Sequence, residues 1–417
     1  MSTPVEPDAA KKSKTKAKRQ SGRQTPSTAH KKPMPALAPL APSDAKREAL
    51  AQAMQKINKR FGDGTVTTLD ESARDAFAVT AVSTGIPALD LAIGAGGLPR
   101  GRMIELYGQE GGGKSAVAMH AVASFQRAGL TAAYLDLEQS FDPELASAYG
   151  VDLNSLILSQ PGSGETAFDI AIALTSAGLD LVVVDSVAAL APQAELKGEM
   201  TDIQVGLQAR LVSKACRILT PTANKDKFSR TTMIFINQYR EKVGVMFGDP
   251  RTTPGGRALK HYASVRVEVA SGAKADRVFS DDPTVGRVES GAVGVPQGAD
   301  DAAAKGKVQI GQTVRMRVTK NKVGPPERTA EARLIWGVGF DRADQAYQLG
   351  VASGLLSVKG ASHQVADGPQ FIGTATMYRA FREDEELRES VITRSMERMA
   401  GQDLLVGGQD DSAAPDD

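Results

Sequence analysis

The chain has 417 residues and is 41% hydrophobic, enough for a substantial core in two or three structural units. Its 50 Lys/Arg and 49 Asp/Glu nearly cancel, but residues 1–43 carry nine cations against Glu6 and Asp8, and residues 407–417 carry Asp410, Asp411, Asp416 and Asp417 with no cation. A single cysteine, Cys216, excludes an internal disulfide or a cysteine cluster, no apolar run reaches membrane-span length, and no apolar signal region opens the chain, so the cytoplasm is the expected compartment.

Residues 1–43 read as a solvated Lys/Pro/Ser/Ala tail. Ser43-Asp44 supplies a cap residue and a first-turn acid for a helix with Leu50, Met54, Ile57 and Phe61 along one side; Gly62 and Gly64 end it. Strands are expected at 102–107, 132–137, 181–184, 232–236, 264–269 and 313–319, with helical stretches between the early ones. Continuous apolar runs such as Leu181-Val182-Val183-Val184 and Met233-Ile234-Phe235-Ile236 suit strands buried on both faces. The fold class is therefore α/β with a mostly parallel central sheet.

The stretch Gly108-Gln109-Glu110-Gly111-Gly112-Gly113-Lys114-Ser115 reads G-x-x-x-x-G-K-S between a strand-like run and a helix-like run. Glycines let successive backbone N–H groups converge on a polyphosphate, and the following helix adds its positive dipole end. Lys114 can reach the β- and γ-phosphates, and the Ser115 hydroxyl can ligate Mg²⁺. Further polar residues end neighbouring strands. Asp185 stands in the Walker-B position for the Mg²⁺ shell, Glu138 can orient and deprotonate a water, and Gln238 is a neutral amide able to feel a γ-phosphate. In open α/β sheets, ligands bind at these carboxyl ends.

Residues 239–260 form a Gly-rich segment with Arg240, Lys242, Arg251, Arg257 and Lys260 against Glu241 and Asp249. A basic loop attached to the Gln238 strand suits nucleic-acid phosphates, and Val243 is an apolar wedge between bases. Residues 271–307, rich in Gly, Ala, Asp and Ser, read as an insertion without apolar periodicity. Residues 340–400 read as a small separate domain with a charged helix near 384–400. His120 reads as a packing residue and Cys216 as core-facing.

The chain resembles the bacterial RecA recombinase family over roughly 44–270 and 308–400. The resemblance rests on Ser83-Thr84-Gly85, Leu89-Asp90, residues 94–102, the P-loop, residues 183–190, Phe235-Ile236-Asn237-Gln238, residues 244–248 and Lys320-Asn321-Lys322. It implies an ATP- and Mg²⁺-dependent, single-stranded-DNA-stimulated ATPase. Such a protein forms a helical filament, pairs the strand with homologous duplex, promotes strand exchange in repair and stimulates self-cleavage of a LexA-type repressor. It also implies a division into 1–43 (basic tail), 44–75 (oligomerisation helix and linker), 76–338 (ATPase core), 339–400 (small α+β domain) and 401–417 (acidic tail). By resemblance Glu138 is the general base and Gln238 the sensor, and Lys320 and Lys322 reach the ATP of a neighbouring copy. Residues 197–205 and 239–258 resemble the two DNA-binding loops, with Val205 and Val243 as base-separating positions and Arg210 and Arg217 as DNA contacts. Asp142, Leu145 and Trp336 fall in the adenine pocket, with Leu145 where the family has a stacking Tyr. His261 follows Lys260 where a Phe is usual, and Gly360-Ala361-Ser362-His363 replaces an expected aromatic run. Two other readings share these features. One is a filament that chiefly activates a repressor. The other is a helicase motor or clock-type ATPase of the same fold, against which the N-terminal helix and both loops weigh.

Overall fold

The computed structural model describes residues 43–62, 64–69, 78–198, 206–224, 230–241, 251–271, 277–280 and 308–406. The chain divides into two units, Met1–Ala73 and Arg74–Asp417. In the first, helix α1 (Asp44–Phe61) forms where the apolar stripe predicts it and stops at Gly62, whose N–H donates to Asn58 O. The Ser43 side chain makes no cap bond, contrary to expectation; its carbonyl instead accepts from Lys46 and Arg47. No residue of α1 is buried, and Leu50 and Phe61 are exposed.

In the second unit, α2 (Pro87–Ile93) precedes the central sheet. Strand β1 (Met103–Gly108) is followed by α3 (Lys114–Arg127) and β2 (Ala132–Asp136). Helix α4 (Pro143–Ala148), edge strand β3 (Ile157–Ser159), α5 (Gly164–Ser176) and β4 (Leu181–Asp185) come next. Helices α6 (Gln193–Lys197) and α7 (Leu207–Thr222) lead to β5 (Thr232–Gln238), and α8 (Ala258–Tyr262) leads to β6 (Val265–Ala270). These strands are mutually parallel in the order β6-β1-β5-β4-β2-β3. An antiparallel extension continues from β6 through β8 (Val308–Asn321), β9 (Arg328–Ile335) and β10 (Gly339–Phe340), with β7 (Arg277–Ser280) also paired to β8. Strand β7 lies within the 271–307 insertion; residues 272–276 and 281–307 lie outside the described residues.

The inner parallel strands carry continuous apolar runs because both faces are covered. Successive side chains point to opposite faces. Ala132 and Tyr134, Leu181 and Val183, and Ile234 and Ile236 enter one core with α2 and α3, whereas Ala133 and Leu135, Val182 and Val184, and Met233 and Phe235 enter another with α5 and α7. His120 and Cys216 are buried in these layers as read.

The C-terminal segment builds a third core. Helix α9 (Arg342–Ala352), the antiparallel strands β11 (Leu356–Lys359), β12 (Ser362–Val365) and β13 (Gln370–Ile372), and helices α10 (Thr374–Glu383) and α11 (Glu385–Val406) enclose Leu349, Leu356, Met377, Phe381 and Val391. Arg342 ties it to the first core by donating to Gly85 O. Among the described residues, no helix is long and apolar enough to cross a membrane.

Candidate active site and basic cleft

Register brings the polar strand ends level. Gly108 at the end of β1 lies opposite Gln238 on β5, and Asp136 on β2 lies opposite Asp185 on β4. The P-loop leaves β1 at Gly108, where a Cβ would sit 2.0 Å from Val269 O, so only glycine permits the close approach of β6. Gly113 holds φ +94, the left-handed region, and starts α3. The first N–H groups of α3 have no partner within the helix, which suits them to an anion. Lys114 Nζ donates to Gln109 O at 2.6 Å. Burial lowers the Lys114 pKa, against the pull of Asp185, Glu138 and Glu110. Gln312 of β8 steadies the loop through Nε2 to Gly111 O at 3.1 Å; nothing in the sequence marks this contact.

Asp185 Oδ2 accepts from Ser115 Oγ at 2.9 Å and from the Tyr134 hydroxyl at 2.5 Å. Burial raises the Asp185 pKa, the two hydrogen bonds oppose it, and Glu138 and Asp136 add to it. A serine hydroxyl and one carboxylate side by side are hard oxygen donors, the sparse set Mg²⁺ accepts when phosphate oxygens and waters complete its shell. Glu138 is exposed just beyond β2, where Oε1 accepts from Ser186 Oγ and from Gln238 Nε2, the latter at 3.1 Å. The Asp185–Ser186 peptide that carries this hydroxyl is cis. Sequence reading missed Ser186 and Tyr134; adjacency to Asp185 was the signal for the first, and the second had none.

A cleft of about 300 Å³ is lined by Glu110 to Ala116, Glu138, Asp185, Ile236 and Gln238, and further by Tyr149, Gln312, Leu334 and Trp336. Trp336 therefore joins the P-loop, but Asp142 and Leu145 do not line the cleft. Asp142 caps α4 through Oδ1, accepting from Glu144 and Leu145 N–H, and Leu145 packs against the core. Tyr149, one turn beyond Leu145, occupies the lining.

Lys320 and Lys322 stand elsewhere. Their ammonium groups are turned to α8, with Lys320 donating to Lys260 O and His261 O and Lys322 to His261 O. Lys322 N–H bonds Ser264 O, and Ser264 N–H bonds Met103 O, so this edge is level with the start of β1. Gly108 ends β1 five residues further on, roughly 16 Å at 3.3 Å per residue. Within one chain, these lysines and the P-loop lie at opposite ends of the strands.

On the α7–α8 face, Arg210, Ser213, Arg217, Arg257, His261 and Tyr262 help line an open cleft of about 610 Å³. Arg210 and Arg217 lie two turns apart on α7 and are exposed. Lys260 lies outside the cleft's lining, with Nζ donating to Thr252 Oγ1. Arg240–Glu241 pairs with Arg251–Thr252 directly after Gln238, forming the base of the basic loop. Asn237 joins this base to the sheet, donating to Pro254 O and to the buried Glu105, which also accepts from Arg266. Val205, Lys242 and Val243 lie outside the described residues.

A family model described as the RecA N-terminal domain matches residues 48–289. Protein RecA of Clostridium acetobutylicum is 42% identical over 354 residues, covering 85% of this chain and 92% of its own length. Protein RecA of Thermus thermophilus is 42% identical over 369 residues, covering 88% and 99%. Protein RecA of Lactobacillus acidophilus is 47% identical over 319 residues, covering 76% and 79%.

Proposed function

The chain belongs to the bacterial RecA family and serves homologous recombination and DNA repair, and from that premise we propose how its residues divide the work. ATP binds at the P-loop and holds copies of the chain in a helical filament on single-stranded DNA. The filament pairs that strand with homologous duplex and, when damage persists, engages a LexA-type repressor. The observation that carries this reading is the direct bond between Gln238 and Glu138 beside the P-loop, with the base of the basic loop beginning two residues after Gln238.

The α3 N–H groups and Lys114 take the phosphates. Ser115 and Asp185 would hold Mg²⁺, which when bound would supply positive charge to the phosphates. Glu138 accepts a proton from the water whose oxygen bonds to the γ-phosphorus, as the bond to the β–γ bridging oxygen breaks and ADP leaves. The Gln238 amide has two acceptors to choose between, Glu138 and a γ-phosphate oxygen. Its choice sets the position of Tyr239 and Arg240, and so the entry of the basic loop onto DNA. Arg210, Arg217 and Arg257, with Arg240 and Lys260 nearby, offer cations to the strand's phosphates. Lys242 extends that set, and Val205 and Val243 wedge between bases. Lys320 and Lys322 complete the site of the next copy, since their own P-loop lies at the other end of the strands. We assign 44–75 to docking on that next copy, 76–338 to the ATPase core and 339–400 to duplex handling.

The test is ATP turnover with and without single-stranded DNA, with electron micrographs of the same samples. Stimulated turnover together with extended filaments is expected. Closed rings, or turnover indifferent to DNA, would overturn the reading.

A further inference from the structure

We propose that Asn237 is a positioning residue for DNA-stimulated turnover. Its side-chain amide ties both ends of the basic loop, which leaves β5 after Gln238 and returns at Pro254, to one buried carboxylate, Glu105. This rests on the reading of that loop as a DNA-binding element and names what holds it in place.

Asn237 is fully buried near the end of β5, in register with Tyr107 of β1. A side-chain amide has two N–H donors and one oxygen, and all three functions are committed here. Nδ2 donates to Glu105 Oε1 at 3.0 Å and to Pro254 O at 3.2 Å, while Oδ1 accepts the Gln238 N–H at 3.0 Å. Pro254 O can only accept and the Gln238 N–H can only donate, so a single orientation of the amide satisfies every partner. Glu105 is fully buried and is itself held: Oε2 accepts Arg266 Nε at 2.5 Å, and the Arg266 guanidinium lies 4.3 Å from the centre of the Tyr107 ring. A buried polar chain whose members are all paired fixes one geometry.

The two arms of the loop are held differently. The outgoing arm continues β5 directly into Arg240–Glu241. The returning arm pairs with it over two residues, Arg251–Thr252, and a ladder that short is marginal by itself. The bond from Asn237 to Pro254 O fixes the returning arm to the sheet. Gly255 and Gly256 then seat the chain, with φ +82 and +72 in the left-handed region that favours glycine. A Cβ at these positions would stand 3.0 Å from Val187 Cγ1 and 2.9 Å from Ala209 Cβ. The returning arm thus arrives against α7, the helix that carries Arg210 and Arg217. With both arms tied to one carboxylate, the loop's entry and exit keep their places relative to those arginines. A strand of phosphates then meets cations that need little further ordering.

The test exchanges donor for acceptor. Asn237→Asp keeps the oxygen that takes the Gln238 N–H but turns both donations into contacts between oxygens. Adding Glu105→Gln supplies a donor from residue 105 and leaves an oxygen there for Arg266. The tie to the sheet is then restored, and Pro254 O alone stays unmet. For this full-length double variant, the urea midpoint and the KM for ATP without DNA should match the parent. The single-stranded DNA concentration that gives half-maximal stimulation should rise roughly 2- to 12-fold, the loss of one hydrogen bond. A parent-like DNA requirement in the double variant, or a KM for ATP that rises in step with it, overturns the proposal. If the double variant does not fold, hydrogen exchange of the unaltered protein decides. Residues 237–241 and 251–256 should slow together when single-stranded DNA is added to the ATP-bound protein, and slowing of one segment alone, or of neither, sinks the idea. Parent turnover indifferent to DNA would refute the DNA-loop reading itself and the proposal with it, whereas stimulated parent turnover with an unaffected double variant refutes the role of Asn237 alone.

Discussion

A carboxylate's role here is set by what its oxygens already accept. Asp185 takes two hydroxyl donors on one oxygen and is buried, whereas Glu138 is exposed and shares Oε1 between Ser186 and Gln238. The first is built to stay in place and the second to exchange a proton. Glu138→Gln should therefore still form ATP-dependent complexes with single-stranded DNA while turnover falls about 10²- to 10⁴-fold, the range of a lost general base. Gel-shift and phosphate-release assays on one preparation check this; unimpaired turnover would place the base elsewhere. Tyr134→Phe removes a buried bond to a carboxylate and should cost about 1.5–3 kcal/mol in urea unfolding, with a raised Mg²⁺ requirement for nucleotide binding. A change in stability alone would restrict Tyr134 to packing. Glu138, Asp185 and Gln238 were legible because each ends an apolar run. Tyr134 was not, since a tyrosine within such a run looks like any other core residue until its hydroxyl is located.

At the scale of elements, α3 and the turn before α9 are joined by one neutral imidazole. Burial lowers the His120 pKa to about 4 from 6.5. Between those values, the unfolded chain binds a proton that the folded chain refuses. This contribution to stability is full above about pH 6.5, declines as pH falls toward 4, and is level below that, a span on the order of 3 kcal/mol. Urea midpoints from pH 7 to 4 should fall more steeply for the parent than for His120→Gln, and equal slopes would refute the assignment. Apolar runs made five of the six parallel strands legible to within a few residues, and missed the three-residue, partly exposed edge strand β3. They could not find β7, a short strand in a polar segment that exists only because β8 offers it an edge.

At the scale of the molecule, the separation of Lys320 and Lys322 from their own P-loop makes an intersubunit site the natural arrangement. Mixing tests it. Lys114→Ala and Lys320→Ala should each be nearly inactive alone, yet a mixture should recover DNA-dependent turnover at those junctions where an intact P-loop faces an intact lysine. No recovery in the mixture would mean that each chain works with its own groups.

The sequence by itself determined the layered α/β core and its phosphate loop, because both depend on local patterns: continuous apolar runs for strands buried on both faces, and glycines spaced for a tight anion-binding turn. Tertiary structure alone decided which strand ends lie level, that the lysine pair belongs to the opposite strand ends, and that the cleft lining includes Tyr149 and not Leu145. These are relations between groups far apart in the chain or a single helical turn out of place, and they exist only once sheet register and helix rotation are set by packing.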